Sequence, residues 1–238
     1  MNTLYVSDGY ENHANVIYVR ENLSELFFKP EKSEFAADLN RAGLFLSPEP
    51  GCERAAMEEL FDKICDVIAV GYKHAFFSGK IKPRGLDPND REILIAALIA
   101  ADVDEDRRFV RSKLKIEEQY ALDGLFNFRL GSLKNKWVEI SEYVPSYFSR
   151  RELKDFIGYL IGEKRGRRVI VDGDKVYDRR FNRMTRTRLT GGTKSVINEV
   201  LLSGAGEVEI KNPPAEYDRK MLKEYFGDKV IFKNEYSL

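Results

Sequence analysis

Cysteine and histidine are scarce: Cys52, Cys65, His13 and His74 are all that a chain of 238 residues contains. The cysteines stand thirteen positions apart, with no C-x-x-C pair and no close histidine pair, which argues against a zinc framework or a thioredoxin-like redox motif. Cys65 falls in a helical apolar stripe and reads as a small buried hydrophobe. The nearest base for a nucleophilic thiol there is His74, and nine residues of helix, about two and a half turns, put the two side chains on opposite faces. Long apolar runs are missing as well. The longest nearly uncharged one, Ile93 to Ala101, has nine residues, whereas a bilayer-spanning helix needs about 20. No membrane insertion is predicted. The first twenty residues carry no basic leader followed by an apolar run, so the sequence predicts a cytoplasmic protein. Net charge is absent too, with 39 Lys+Arg against 39 Asp+Glu.

What the chain does have is a core: 43% hydrophobic and 12% aromatic residues exclude disorder and collagen. Its charge is also unevenly placed. Residues 1–100 hold 11 basic and 16 acidic side chains, whereas Lys164 to Lys194 hold eleven Lys/Arg against only Asp172, Asp174 and Asp178. That late concentration is the one strong compositional anomaly.

The middle of the chain reads as helix. From Glu53, Met57, Leu60, Phe61, Ile64, Ile68 and Tyr72 recur at three- and four-residue steps. Asp87 and Pro88 supply an N-cap and a first-turn proline for REILIAALIAA, and a polar helix is expected to follow it. Leu122, Phe126, Leu130, Leu133, Trp137, Ile140 and Val144 predict about six continuous turns ending at Pro145. Ser149 and Glu152 form a capping box before Leu153, Phe156, Ile157, Leu160 and Ile161. Both ends look mixed. TLYV and NVIYV predict a strand pair before a short helix near Ser33 to Ala42. Late in the chain, RRVIVD and KVYD predict a hairpin, and VINEVLL a helix. The tail, from EVEIK through a helix burying Tyr217, Met221 and Tyr225 to KVIFK, predicts a β-α-β unit with parallel strands. The fold class expected is therefore α+β: N-terminal strands and a short helix over 1–51, an all-helical block over 52–163, and a C-terminal α/β region over 164–238 that could share one sheet with the N-terminal strands.

Three phrases resemble the YtxC-like family of sporulation proteins. LDGLFNFRLGSLKNKWVEISEYV, with Gly124, Phe126, Phe128, Arg129 and Leu130, is similar to that family's Gly-Phe and Arg-Leu steps leading into a long helix. RRELKDFIGYLI matches the following helix through Glu152, Phe156 and Ile157. EVEIKNPPAEYDRKMLKEYFGDKVIF resembles the closing strand, Asn-Pro connection, helix and turn, with Lys229 in place of an arginine. The resemblance covers about 55–235 and implies a cytoplasmic protein of a spore-forming bacterium. It brings no catalytic residue with it, and the basic run FNRMTRTRLTGGTKS departs from the family's pattern.

That run supplies the binding candidates. Arg179, Arg180, Arg183, Arg186, Arg188 and Lys194 surround a Gly-Gly-Thr step at an expected helix start, where backbone N–H groups and the helix dipole favour an anion. Phe181 is the one aromatic within the run, with Tyr177 just before it. GGTKS lacks the G-x-x-x-x-G-K-[ST] spacing of a P-loop, so nucleotide hydrolysis is not supported. The sharpest catalytic candidates are Glu209 and Lys211, an E-x-K pair on a strand, with Asp172 upstream, an arrangement that some metal-dependent nucleases use to bind Mg²⁺. Against it, a predicted helix intervenes where those enzymes have a tight hairpin. Asp102 to Asp106, DVDED, lacks the glycine and distal glutamate of a Ca²⁺ loop. The reading preferred from sequence is a non-enzymatic protein with no cofactor and no resident metal, binding an unknown protein or a polyanion through the basic segment. The alternatives are a nuclease or other phosphate-processing enzyme, and a DNA- or RNA-binding module.

Overall fold

A computed structural model describes residues 3–29, 33–164, 167–191 and 195–232. In chain order it contains β1 (Leu4–Gly9), α1 (His13–Asn22), β2 (Glu34–Ala37), β3 (Arg41–Leu46), α2 (Glu53–Asp66), α3 (Lys73–Lys80) and α4 (Pro88–Lys113). Then come β4 (Gln119–Ala121), α5 (Leu122–Gly124), α6 (Gly131–Tyr143), α7 (Arg150–Glu163), β5 (Arg168–Asp172), β6 (Lys175–Tyr177) and β7 (Arg183–Met184). The last described elements are α8 (Val196–Leu202), β8 (Glu207–Asn212), α9 (Glu216–Phe226) and β9 (Val230–Phe232). The architecture is α+β. It divides into two compact units, Met1–Lys73 with Asp104–Ile140, and His74–Val103 with Ser141–Leu238.

The first unit holds a sheet of order β2-β3-β1-β4, with β1 antiparallel to β3 and parallel to β4. NVIYV, expected as a strand, is instead part of α1. Asn15, Val16, Tyr18 and Val19 are its buried residues, and steps of three and four place them on one helical face, so packing overrides the β preference of the valines. The short helix expected near Ser33 to Ala42 is instead the hairpin of β2 and β3. Asp38 forces it: its Oδ1 accepts from the N–H of Asn40 (2.7 Å) and Arg41 (2.8 Å), a local turn that competes with helix. The block over 52–163 is not wholly helical either, because Gln119–Ala121 pairs in parallel with β1. The six-turn stripe from Leu122 is broken by a π-helical stretch over Leu125–Arg129, which leaves Phe128 exposed while Leu130, Leu133 and Trp137 are buried.

The second unit holds a sheet of order β7-β6-β5-β8-β9, in which β5, β8 and β9 are mutually parallel and β6 is antiparallel to β5. The N- and C-terminal strands thus lie in separate sheets. The expected β-hairpin forms at Gly173, whose φ of 62° suits a residue without a Cβ. Helix α7 opens with the predicted capping box: Ser149 accepts from the Glu152 N–H while Glu152 accepts from the Ser149 N–H. In α9 the buried residues are Asp218, Met221, Leu222, Tyr225 and Phe226. Tyr217, expected inside, is 44% exposed, one position off that stripe. Asp102 to Asp106 lie within α4 rather than in an ion-binding loop.

Candidate functional site

The basic run begins on a hairpin. Val176 pairs with Met184 and Tyr177 with Arg183, joining β6 to β7 through the loop 178–182. Asp178 organises that loop. Its Oδ1 accepts from the N–H of Arg180 (2.8 Å) and of Asn182 (2.9 Å), and its Oδ2 from Asn182 Nδ2 (2.9 Å). Two backbone bonds close it further, Phe181 N–H to Asp178 O and Asp178 N–H to Asn182 O, both 3.0 Å. Burial pushes the Asp178 carboxyl up, but the bonds from Asn182 and Arg180 outweigh it and leave the group below its ordinary value. On this anchored loop and its flank, Arg179, Arg180, Phe181 and Arg183 are exposed, as is Lys175 on β6.

The other predicted contacts divide differently. Arg186 is not on the surface: it is 8% exposed, and its guanidinium donates to the carbonyl of Leu202 at the end of α8 (2.8 Å). Glu199 takes the N–H groups of Arg186 and Thr187 (2.9 Å each) and the Thr187 hydroxyl (2.7 Å). Arg186 is therefore a structural residue, because the segment carrying it turns into the unit to satisfy Glu199 and a helix end. Arg188 is half-buried and lines a cleft of about 250 Å³ together with Lys175, Arg183, Glu199 and Asp218. Lys194 and the Gly-Thr of the expected helix start lie outside the described residues. Where α8 begins, Asp218 Oδ1 accepts from Ser195 Oγ (2.8 Å) and from the Ile197 N–H (3.1 Å), so an internal carboxylate sits where an external anion was expected.

Asp172, Glu209 and Lys211 fall on adjacent parallel strands, with Ile170 opposite Glu209 and Asp172 opposite Asn212. Asp172 and Lys211 come together: Lys211 Nζ is 3.3 Å from Asp172 Oδ2, and Asn212 Nδ2 donates to Oδ1 at 2.5 Å. The Asn212 bond, assisted by Lys211, holds the Asp172 carboxyl below its ordinary value. Glu209 is buried and engages Arg168 instead (3.5 Å), which also pairs with Glu207 (3.0 Å). Among the described residues no group of three or more His, Cys, Asp or Glu side chains is placed to hold a metal ion.

Sequence patterns did not single out the polar groups buried in the first unit. Asp8, fully enclosed, accepts from the Gly9 N–H (2.8 Å), Tyr72 Oη (2.7 Å) and Asn15 Nδ2 (2.8 Å). Burial pushes its carboxyl up against the pull of those bonds. Lys73 and Asp106 form an ion pair with no exposed side-chain surface. The one available signal was a lysine inside the apolar run VIAVGYKHAFF. Cys65 is buried as expected, and burial pushes its thiol up to about 12, which leaves it inert as a nucleophile at neutral pH. No helix among the described residues is long and apolar enough to cross a membrane. Compared with protein-family models, curated proteins and solved structures, the chain matches none.

Proposed function

We propose that this is a non-enzymatic, cytoplasmic binding protein whose anionic partner docks on Arg179, Arg180 and Arg183. One observation carries the reading: three arginines of the basic run stand exposed on a loop that Asp178 has already ordered. An ordered loop loses little conformational entropy when a ligand arrives, so more of the Coulombic attraction appears as affinity. Lys175 adds a further exposed cation on the neighbouring strand β6. The resemblance to YtxC-like sporulation proteins supports a role in spore formation, with this hairpin as the feature that departs from the family's pattern.

Heparin chromatography tests the proposal. The wild-type protein is expected to elute at raised salt, and the variant R179A/R180A/R183A to elute early with an unchanged circular-dichroism spectrum. Equal retention of the two would overturn it.

A further inference from the structure

The hairpin that carries the arginines also carries a residue that electrostatics does not explain. Phe181 is the only non-glycine among the described residues with a left-handed backbone, at φ 62°, and the residue is 65% exposed. An L side chain is disfavoured there, and loops of this kind usually place glycine or asparagine at that position. Burial does not explain the phenylalanine, since the residue is mostly exposed to water. Flexibility does not relieve the strain, because the side chain and backbone of Asp178 hold the residues on both sides of it. The molecule therefore keeps a strained aromatic facing outward, beside Arg179, Arg180 and Arg183.

We infer that Phe181 is a base-stacking platform and that the ligand of the hairpin is single-stranded nucleic acid. A flat apolar ring takes the face of an unpaired base, while neighbouring guanidinium groups take the phosphates on either side of it. Duplex fits less well, because its bases already stack on one another and offer the ring no open face. Heparin or another simple polyanion would use the arginines and leave the ring idle. A membrane surface is the other partner that combines apolar and anionic groups. Yet Phe181 is the only large exposed hydrophobe described between Asp172 and Leu189, too little apolar area to anchor the protein. The inference rests on the anion-binding reading above and adds the identity of the anion.

The test compares four probes: a fluorescein-labelled oligothymidylate, a duplex of equal length, heparin, and vesicles of anionic phospholipid. The oligothymidylate is expected to bind more tightly than the duplex. Phe181→Ala should weaken that binding by about 5- to 150-fold, the range associated with stacking on one base, while Phe181→Trp retains it. Heparin retention should be the same in both variants. Phe181→Gly gives a further readout: it should raise the melting temperature by removing backbone strain and still lose oligonucleotide binding, a combination that a structural role cannot produce. Unchanged oligonucleotide affinity in Phe181→Ala overturns the platform and leaves the anion-binding reading standing. So does binding to vesicles that depends on Phe181 without binding to the oligonucleotide. Loss of heparin retention by no arginine variant would remove both.

Discussion

Lys73 Nζ lies 2.6 Å from Asp106 Oδ2, and neither side chain exposes any surface to water. The same oxygen accepts from Trp137 Nε1 (2.9 Å), and Oδ1 accepts from Lys136 Nζ (2.9 Å). Asp106 is thus the shared acceptor of three donors, Lys73 from α3 and Lys136 and Trp137 from α6, and none of the three is equivalent to it. Asp106→Ala leaves a buried ammonium without its carboxylate and should cost about 3–5 kcal/mol. Lys73→Met fills similar volume and leaves Asp106 with Lys136 and Trp137, so it should cost clearly less. Urea denaturation followed by the fluorescence of Trp137, the only tryptophan, ranks the two; the reverse order would show that the lysine, not the aspartate, organises the cluster.

The two halves of the arginine run should respond differently to truncation. Arg186→Ala removes a buried guanidinium bonded to Leu202 O and should lower stability by about 1.5–3 kcal/mol. Arg183→Ala, on the exposed strand β7, should stay within about 0.5 kcal/mol of wild type. Thermal melts of the single variants separate a structural arginine from a surface one.

Two glycines give opposite expectations for the same change. A Cβ on Gly206 would meet the backbone carbonyl oxygen of Lys164, which cannot swing aside as a side-chain tip can. Gly206→Ala should therefore cost about 1–3 kcal/mol or more. Gly158 lies inside α7 with open space around it, and Gly158→Ala should stabilise by about 0.5–1 kcal/mol. Equilibrium denaturation of both variants checks the pair.

The Asp178 loop makes a pH prediction. Its carboxyl lies below the ordinary value in the folded protein, so its contribution to loop order is complete above that ordinary value, about 3.9, and disappears as pH falls through the lowered one. Heparin retention should then hold steady from neutral pH to about 5 and decline only in more acidic buffer. A decline already complete at pH 6 would point to some other titrating group.

Helix α7 and the β-α-β tail were legible because their signals are local. A capping box, a 3.6-residue stripe and alternating short strands can be read without knowing what they pack against. NVIYV was not legible in that way: valine and isoleucine favour strands only where a neighbouring strand accepts them, and in α1 the same side chains fill one helical face instead. Likewise Gln119–Ala121 carries no strand pattern of its own and becomes β4 by pairing with residues more than a hundred positions away.

The candidate site shows the same division. Counting charges located the basic segment, since composition along the chain is a property of sequence. It could not separate Arg183 on the surface from Arg186 inside, because that depends on where the chain turns inward to meet Glu199 and Leu202. Nor could it reveal the backbone angle of Phe181, which a carboxylate three residues earlier imposes through the loop. Residue identities determined the capped helix α7, the tail unit and the concentration of positive charge. The pairing of distant strands, the fate of each arginine and the outward ring were decided only by tertiary structure, because hydrogen bonds and burial depend on neighbours that local sequence does not name.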